Sequence, residues 1–139
     1  MKEAKLEFKN FIVSNFEFEK FPKNTEEDIF YIIPNAAISR KKKQFHINII
    51  FEMLDIENHF QLRMVCTGIF EYNTENQEEL TSYLSINGPA IIFPYIRSFI
   101  SNFTALSGLD TVTLPTLNLS GFRDDIIENL IEIDGIENE

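Results

Sequence analysis

The 139-residue sequence has no tryptophan, a single cysteine and no long apolar run. The single cysteine, Cys66, excludes a disulfide within the chain and is typical of a reducing compartment. No apolar stretch approaches the roughly 20 residues that a membrane-spanning helix requires. The amino terminus leads into an alternating segment rather than into an apolar leader sequence. These absences predict a cytoplasmic protein that does not insert into a membrane.

Basic residues are also scarce, since 12 lysines and arginines stand against 22 acidic residues and the formal net charge is −10. A chain this acidic is repelled by phosphate backbones, which argues against general nucleic-acid binding. The one basic cluster, Arg40–Lys43, is short and is predicted to be a solvated loop. The charge favours basic partners and keeps the protein soluble.

The sequence offers few residues for catalysis. Cys66 lies on the apolar side of a predicted strand, where a free cysteine is usually a small core residue. His46 and His59 have no metal-ligand spacing with cysteine or with carboxylates, and the five glycines are scattered rather than gathered in a phosphate-binding loop. We therefore expect no catalytic residue, no metal and no cofactor, and the protein is predicted not to be an enzyme.

Phenylalanine, by contrast, is abundant, with 14 residues, many of them in short clusters. Two interpretations remain open: these phenylalanines fill core positions of strands, or some of them line a binding surface. Hydrophobic residues make up 44% of the chain and charged residues 24%, which is an ordinary globular balance. The chain length and this composition predict a single domain over residues 1–139. Its acidic tail, residues 134–139, is expected to fray.

Alternating apolar residues predict strands in the first half of the chain. Residues 6–21 alternate imperfectly, which predicts a long strand with a bulge or twist and with apolar groups on both faces. Residues 45–53 and 60–72 alternate more strictly around a short polar turn and predict an antiparallel hairpin with one buried face. Residues 22–43 are interpreted as a long connection that carries an apolar island at 29–33.

The hydrophobic period changes after the hairpin. Asn76 and Glu79 are spaced like a helix-capping pair, and Asn87-Gly88 is predicted to end a first short helix. A longer amphipathic helix up to Leu106 and a last helix follow. Strands first and helices last predict an α+β fold in which helices pack on an antiparallel sheet.

Three segments of the sequence carry a resemblance to a known family. They are Gly68-Ile69-Phe70, residues 88–97 (GPAIIFPYIR) and residues 114–119 (LPTLNL). In this order, they resemble the end of the third strand, the beginning of the main helix and the helix-connecting loop of the SecB family of export chaperones. The order and spacing of the three segments make the resemblance fairly specific.

The resemblance implies a four-stranded antiparallel sheet with the long helix and the C-terminal helix packed on one face. It implies a cytoplasmic dimer of dimers, hence a homotetramer, in which the long helices lie between the dimers. It also implies a function, which is ATP-independent binding of unfolded preproteins. The family keeps these clients competent for translocation and hands them to the export motor SecA.

Site residues are implied in the same way. Clients of the family lie in apolar grooves between the crossover connection, the helix-connecting loop and the final helix, which correspond here to Phe30, Tyr31, Ile32, Ile33, Leu117, Leu119, Phe122, Ile126 and Leu130. Because Phe122 and Ile126 also suit an amphipathic helix, a core position remains the alternative for both. Small side chains on the second side of the long helix are expected to form the contact between subunits: Ser98, Ser101, Asn102 and Ala105.

The face on which the family presents acidic residues to SecA differs in this chain. Glu19 is kept, but Asn15 and Arg63 stand where acids are expected, which predicts weakened docking of SecA. A dedicated chaperone of an antitoxin or of another single client is therefore an alternative within the family. An alternative from another class is a small α+β ligand-binding or thioesterase-like enzyme, which requires a polar residue converging on a closed pocket.

Overall fold

The computed structural model describes residues 5–21, 27–114 and 119–134. The strands are β1 (Leu6–Lys20), β2 (Ile29–Ser39), β3 (Gln44–Asp55), β4 (Phe60–Tyr72) and β5 (Ile131–Glu132). The helices are α1 (Gln77–Ser82), α2 (Gly88–Leu106) and α3 (Phe122–Glu128). A π-helical turn, Tyr83–Asn87, joins α1 to α2, and a 3-10 turn, Leu119–Gly121, precedes α3.

The strands form one sheet in the order β1-β4-β3-β2-β5. The first four are antiparallel to their neighbours, and β5 runs parallel to β2. Alternate side chains of β3 and β4 are buried beneath the helices and form the core with α2. We call the opposite face, which no described helix covers, the outer face. The predicted α+β class is confirmed, as are the hairpin and the helices on one face; the short β5 was not predicted.

Two β-bulges explain the imperfect alternation of β1. The pairing of β1 with β4 shifts register between Phe8 and Asn10 and again between Val13 and Asn15. Each extra residue reverses which alternate positions face the helices, so the phenylalanines of β1 all lie half-buried on the helix side. The predicted bulge is confirmed. The prediction of apolar groups on both faces is wrong for these phenylalanines, although Ile12 is exposed on the outer face.

Residues 29–39 form a regular strand and not part of a long connection, which corrects the sequence-based interpretation. β2 pairs with β3 along its whole length, from Ile29 opposite Leu54 to Ser39 opposite Gln44. A tight turn at residues 40–43 then leads into β3. The island at 29–33 is consequently the first half of a sheet strand, and its side chains alternate between the two faces.

The helical run from Gln77 to Leu106 is continuous, so the predicted stop at Asn87-Gly88 is wrong. Gly88 instead allows the helix to approach the sheet. A Cβ atom at this position would lie 2.3 Å from Ile47 Cδ1 and 2.9 Å from the Tyr83 carbonyl oxygen. Real Cβ atoms do not tolerate such distances, so the absence of a side chain determines how closely α2 packs on β3.

The start of α1 is capped as predicted. The side-chain oxygen of Asn76 accepts a hydrogen bond from the backbone amide of Glu79 at 3.0 Å, which satisfies one of the free amides at the helix start. Among the helices of the described residues, none combines the length and the apolar character that crossing a membrane requires.

The last described residues are attached to the sheet. β5 pairs with the end of β2, and the Asp134 carboxylate accepts hydrogen bonds from the Ser39 hydroxyl and from the Arg40 amide, each at 2.8 Å. Hydrogen bonding, led by the bond from Ser39, holds the pKa of Asp134 below its usual value. Within the predicted acidic tail, Asp134 is therefore anchored, and residues 135–139 lie outside the described residues.

The buried thiol of Cys66 makes stability depend on alkaline pH. Burial raises the pKa of Cys66 to about 12, whereas a cysteine in an unfolded chain has a pKa of about 8.5. The unfolded state therefore loses its proton first, and the free energy of unfolding should fall by about 1.4 kcal/mol per pH unit above about pH 8.5 through this group. Urea unfolding under reducing conditions at several alkaline pH values measures the slope. Cys66→Ala, as control, should show a slope smaller by this amount; equal slopes would contradict the assignment.

Candidate functional site

The first half of β2 exposes large apolar side chains to solvent. Ile29 and Phe30 are each 43% exposed, Tyr31 is 41% exposed and Ile33 is 48% exposed, while Ile32 is half-buried. Folded proteins scatter single apolar residues over their surfaces, but consecutive exposed ones on one strand are typical of binding surfaces. This segment is therefore the candidate functional site, and we call it the β2 island.

The register of the sheet divides the β2 island between two faces. Phe30 and Ile32 lie on the helix side, where the Phe30 ring meets the buried Phe51 ring edge-on at 5.3 Å between centroids. Tyr31 and Ile33 lie on the outer face, where the Tyr31 hydroxyl donates a hydrogen bond to the Glu52 carboxylate. This hydrogen bond raises the pKa of the Tyr31 hydroxyl. The four residues predicted to line one groove thus belong to two surfaces that meet at β2.

The island lies on a partly open sheet edge. The Ile133 amide donates to the Ile38 carbonyl at 2.9 Å, so the backbone groups of even-numbered β2 residues point away from β3. β5 pairs only with Ala37 and Ile38, and no other described strand pairs with this edge of β2. Pro34 has no amide to donate and makes the edge a poorer template for uncontrolled strand pairing.

Other residues predicted for the client groove lie deeper in the molecule. Ile126 has no exposed surface and Phe122 is 9% exposed, so both contribute to the core. A core position was the alternative that the sequence analysis left open for these two residues. Leu119 and Leu130 are partly buried and pack against the same core. Leu117 lies outside the described residues.

A cleft of about 350 Å³ lies between the sheet and the segment that follows α2, and it is lined in part by Phe18, Met53 and Leu109. One of its polar groups, the Thr104 hydroxyl, serves the local structure, since it accepts from the Val112 amide at 2.9 Å and donates to a carbonyl of its own helix. Within the described residues, no three histidine, cysteine, aspartate or glutamate side chains are grouped to hold a metal ion.

The three residues of the predicted SecA patch share the outer face. Arg63 lies opposite Glu17 of β1 and donates from Nε to Glu52 Oε1 of β3 at 3.0 Å. Glu19 lies opposite Gln61 and Asn15 lies opposite Val65. Arg63 therefore neutralises the Glu52 carboxylate on the same face as Glu19, which is the geometry on which the prediction of weakened docking depends.

The small residues of α2 are directed away from the sheet. Ser98, Asn102 and Ala105 are exposed, whereas Ser101 is half-buried and donates from its hydroxyl to the Val112 carbonyl at 2.9 Å. A shallow depression of about 360 Å³ lies along this side of the helix. The predicted role of these residues in subunit contact stays a prediction.

Residues 35–125 match the family model described as preprotein translocase subunit SecB. The chain belongs to the SecB family. The matched region includes the second half of β2, the hairpin, all of α2 and the start of α3, so family membership rests on most of the fold. SecB membership also agrees with the three segments whose resemblance was noted in the sequence.

Relatives of known sequence differ in how much of this SecB family member they match. An uncharacterized protein of Methanocaldococcus jannaschii is 30% identical over 132 residues, which are 88% of this chain and 85% of that protein. The protein-export protein SecB of Orientia tsutsugamushi is 39% identical over 73 residues, which are 52% of this chain and 36% of that protein. The match to the named export protein is therefore confined to about a third of its length.

Two solved structures share the SecB-like fold. A SecB-like chaperone of Mycobacterium tuberculosis, solved in complex with a ChAD peptide from an antitoxin, has a TM-score of 0.63 at 16% identity and covers 82% of this chain and 88% of its own. A protein of unknown function from Streptococcus agalactiae has a TM-score of 0.53 at 12% identity and covers 83% of this chain and 100% of its own. At such identities, the likeness concerns the fold alone.

Sequence reasoning missed the apolar residues of the outer face. Ile50 and Val65 are neighbours across β3 and β4, and both occupy the polar side of an alternating strand. The available signal was the break in alternation at Ile50. Apolar residues at positions expected to be wet indicate a surface covered by something other than water.

Proposed function

We propose that this SecB family member is an ATP-independent chaperone that holds unfolded polypeptides at the β2 island. The observation that carries the proposal is the exposure of four large apolar side chains within five positions of one strand, Ile29, Phe30, Tyr31 and Ile33. Such a surface gains free energy at about 25 cal/mol for each Å² of apolar area that a client covers. The binding needs no fixed sequence, because apolar burial is not directional.

The clients are unfolded preproteins that the chaperone keeps competent for translocation, and the chaperone acts in the cytoplasm without enzymatic activity. Family membership supports this proposal. The net charge of −10 supports it as well, because an acidic carrier stays soluble and attracts segments rich in basic and apolar residues.

Crosslinking in cells tests the proposal. A photoreactive amino acid in place of Phe30 should capture many different polypeptides with exposed apolar segments. The control places it at Glu78, which is exposed on α1 away from the island. Equal capture at both positions, or no captured polypeptide at Phe30, would contradict the proposed function.

A dedicated chaperone of one client, such as an antitoxin, is the second candidate. The observation in its favour is the fold shared with a SecB-like chaperone that was solved with an antitoxin peptide. The same crosslinking experiment separates the two candidates, because a dedicated chaperone captures one dominant polypeptide and a general one captures a broad set.

Delivery to SecA is proposed to be weak. Asn15 stands on the outer face where the family resemblance leads us to expect a carboxylate. Arg63 neutralises the charge of Glu52, to which it donates a hydrogen bond at 3.0 Å. Each exposed charge contributes about 0.2–1 kcal/mol, so the two changes together should weaken SecA binding by about tenfold relative to a standard family member. Salt should weaken it further.

Calorimetric titration with SecA at two salt concentrations measures this effect. Arg63→Glu should recover affinity, at some cost in stability because Glu17 and Glu52 would face a third carboxylate. Arg123→Glu, the same change on exposed α3, is the matched control. The prediction fails if the unmodified protein binds as tightly as a standard member and Arg63→Glu changes nothing.

The protein is also proposed to assemble as a homotetramer through the small-residue side of α2. β1 supports further contact between subunits, since it is an edge strand among the described strands. Light scattering should give four times 16.2 kDa, or twice this mass where one contact is weak. Ser98→Glu combined with Ala105→Glu should lower the mass through like charges across a symmetric interface, whereas Thr111→Glu should not. A monomer at all concentrations contradicts the proposal.

A further inference from the structure

The basic turn between β2 and β3, residues 40–43, binds a carboxylate of the same chain. Asp134 Oδ1 accepts a hydrogen bond from the Ser39 hydroxyl at 2.8 Å. Asp134 Oδ2 accepts from the backbone amides of Arg40, at 2.8 Å, and of Lys41, at 3.1 Å. Ser39 is only 4% exposed. A buried hydroxyl and two consecutive amides that point at one anion form an anion-binding nest. We call these three donors the turn nest.

The turn nest is held in place by the sheet and not by its ligand. Ser39 pairs with Gln44 at the end of the β2–β3 ladder, and the Ser39 hydroxyl oxygen accepts from the Lys42 amide at 3.3 Å. The Lys43 carbonyl accepts from the Tyr72 amide at 3.0 Å, which attaches the turn to the end of β4. We therefore expect the donors to keep their positions when the carboxylate leaves. A site formed in advance loses little free energy to ordering when it binds a ligand.

The bound segment shows which kind of ligand the site accepts. Residues 131–134 (IEID) alternate apolar and acidic side chains, and we call them the IEID segment. The Ile133 amide donates to the Ile38 carbonyl at the edge of β2, at 2.9 Å. The Glu132 carboxylate accepts from Arg40 Nε, two positions before the carboxylate that enters the nest. The ligand is thus a strand-forming segment with acidic residues two positions apart.

The IEID segment is attached weakly enough to be exchanged. Its strand, β5, has two residues, and Ile131 is 49% exposed. A strand this short makes few hydrogen bonds, and a segment with few buried apolar contacts opens at little cost in free energy. An acidic segment of another protein that binds more tightly therefore displaces it.

Charge favours an acidic ligand at the turn. Residues 40–43 are the one basic cluster of a chain whose net charge is −10. Glu132 and Asp134 leave with the displaced segment, so the turn then presents a stronger positive field beside the nest. The pKa of Asp134 lies below its usual value, chiefly because the Ser39 hydroxyl donates a hydrogen bond to the carboxylate. The site therefore prefers an ionised acid to a neutral one.

The edge of β2 argues for a polypeptide ligand and against a nucleic acid. Phosphate also suits a nest of amides. A nucleic acid, however, would extend past the turn over a chain of net charge −10, which repels it. A polypeptide also adds backbone hydrogen bonds along the strand edge, as β5 does at Ala37 and Ile38.

We propose that the turn nest and the adjoining edge of β2 bind an acidic, strand-forming segment of a partner protein, and that the chain's own IEID segment occupies this site until the partner displaces it. The partner segment extends the sheet by strand addition and places its carboxylate in the nest. This interaction goes beyond the proposed function, because the proposed clients are rich in basic and apolar residues, whereas this partner is acidic.

Weakening the chain's own ligand in the full chain gives a direct test. The probe is a fluorescent peptide with blocked ends and the sequence of residues 129–134 (NLIEID); its control carries glutamine and asparagine in place of the two acids. The double variant Glu132→Gln, Asp134→Asn leaves the nest intact. Measured by anisotropy, the double variant should bind the acidic peptide about tenfold more tightly than the unmodified protein does, with no gain for the control peptide.

Further variants assign this gain to the turn nest. Ser39→Ala or Arg40→Gln, each added to the double variant, should remove most of the gain, because the first deletes a donor of the nest and the second deletes the side chain that binds the glutamate. Glu57→Gln with Asp110→Asn makes the same change of charge at exposed positions on other segments. This charge-matched control should bind the acidic peptide like the unmodified protein. Thermal melting confirms that each variant is folded.

No gain in the double variant, or an equal gain in the charge-matched control, would overturn the inference. A gain that survives both Ser39→Ala and Arg40→Gln would overturn it as well, because the nest would then not be the site. A single-stranded oligonucleotide that binds the double variant more tightly than the acidic peptide does would overturn it in favour of nucleic acid. A rise in oligomer mass when the double variant is mixed with unmodified protein would overturn it in favour of IEID segments from other copies.

Discussion

Replacing Ile126 with alanine is expected to lower the free energy of unfolding by about 2–5 kcal/mol. The side chain has no exposed surface and packs in the core beneath α3, so its removal loses apolar burial and leaves a cavity. Urea unfolding followed by circular dichroism measures the effect. Ile127→Ala on the same helix is the matched control, because Ile127 is 41% exposed and its truncation should cost far less.

The Ile126 result also decides the role of α3. A core residue changes stability, whereas a residue of an open client groove changes client affinity. Unchanged stability together with weakened client binding would show that α3 lines a groove and that the buried position is only one of its states.

Replacing Phe30 and Tyr31 together with serine is expected to weaken the binding of an unfolded client by about tenfold or more. Both side chains offer exposed apolar area, one on each face of β2. The fold should survive, because the main cost is the Phe30 contact with Phe51, and such an aromatic pair contributes about 0.5–1.5 kcal/mol beyond its burial.

Client affinity is measured by titration with a permanently unfolded, labelled polypeptide, and the fold by thermal melting. Phe21→Ser is the control, because Phe21 is an exposed phenylalanine outside the island. Loss of the cooperative melt in the double variant would mean that the island is core. The two single variants then report which face of β2 contributes more.

Much of the fold follows from local patterns. The hairpin of β3 and β4 was predictable because strict alternation covers both strands, and the start of α1 because Asn76 can cap only the amide of a residue near it in sequence. β5 was not predictable, since two residues carry no period and its pairing with β2 depends on tertiary contacts. The role of Gly88 was hidden as well, because its close neighbour Ile47 is distant in sequence.

The candidate site was predicted in composition but not in geometry. The apolar run 29–33 stands out in any reading of the sequence, but the face of each side chain depends on the register with β3. The sequence did not determine whether Glu19, Asn15 and Arg63 share a face. Each bulge reverses the alternation of side chains along a strand, and β1 has two bulges. The proposed function was predicted from the family resemblance, because no single residue of the described surface indicates it.

The most direct test of the central claim is the holding of an unfolded preprotein. A preprotein unfolded in urea is diluted into buffer without ATP, and its aggregation is followed by light scattering with increasing amounts of this protein. The account predicts that near-stoichiometric amounts suppress aggregation, that the Phe30→Ser, Tyr31→Ser variant does so poorly, and that Phe21→Ser acts like the unmodified protein. Aggregation that proceeds unchanged at a stoichiometric excess of the folded protein would contradict the claim.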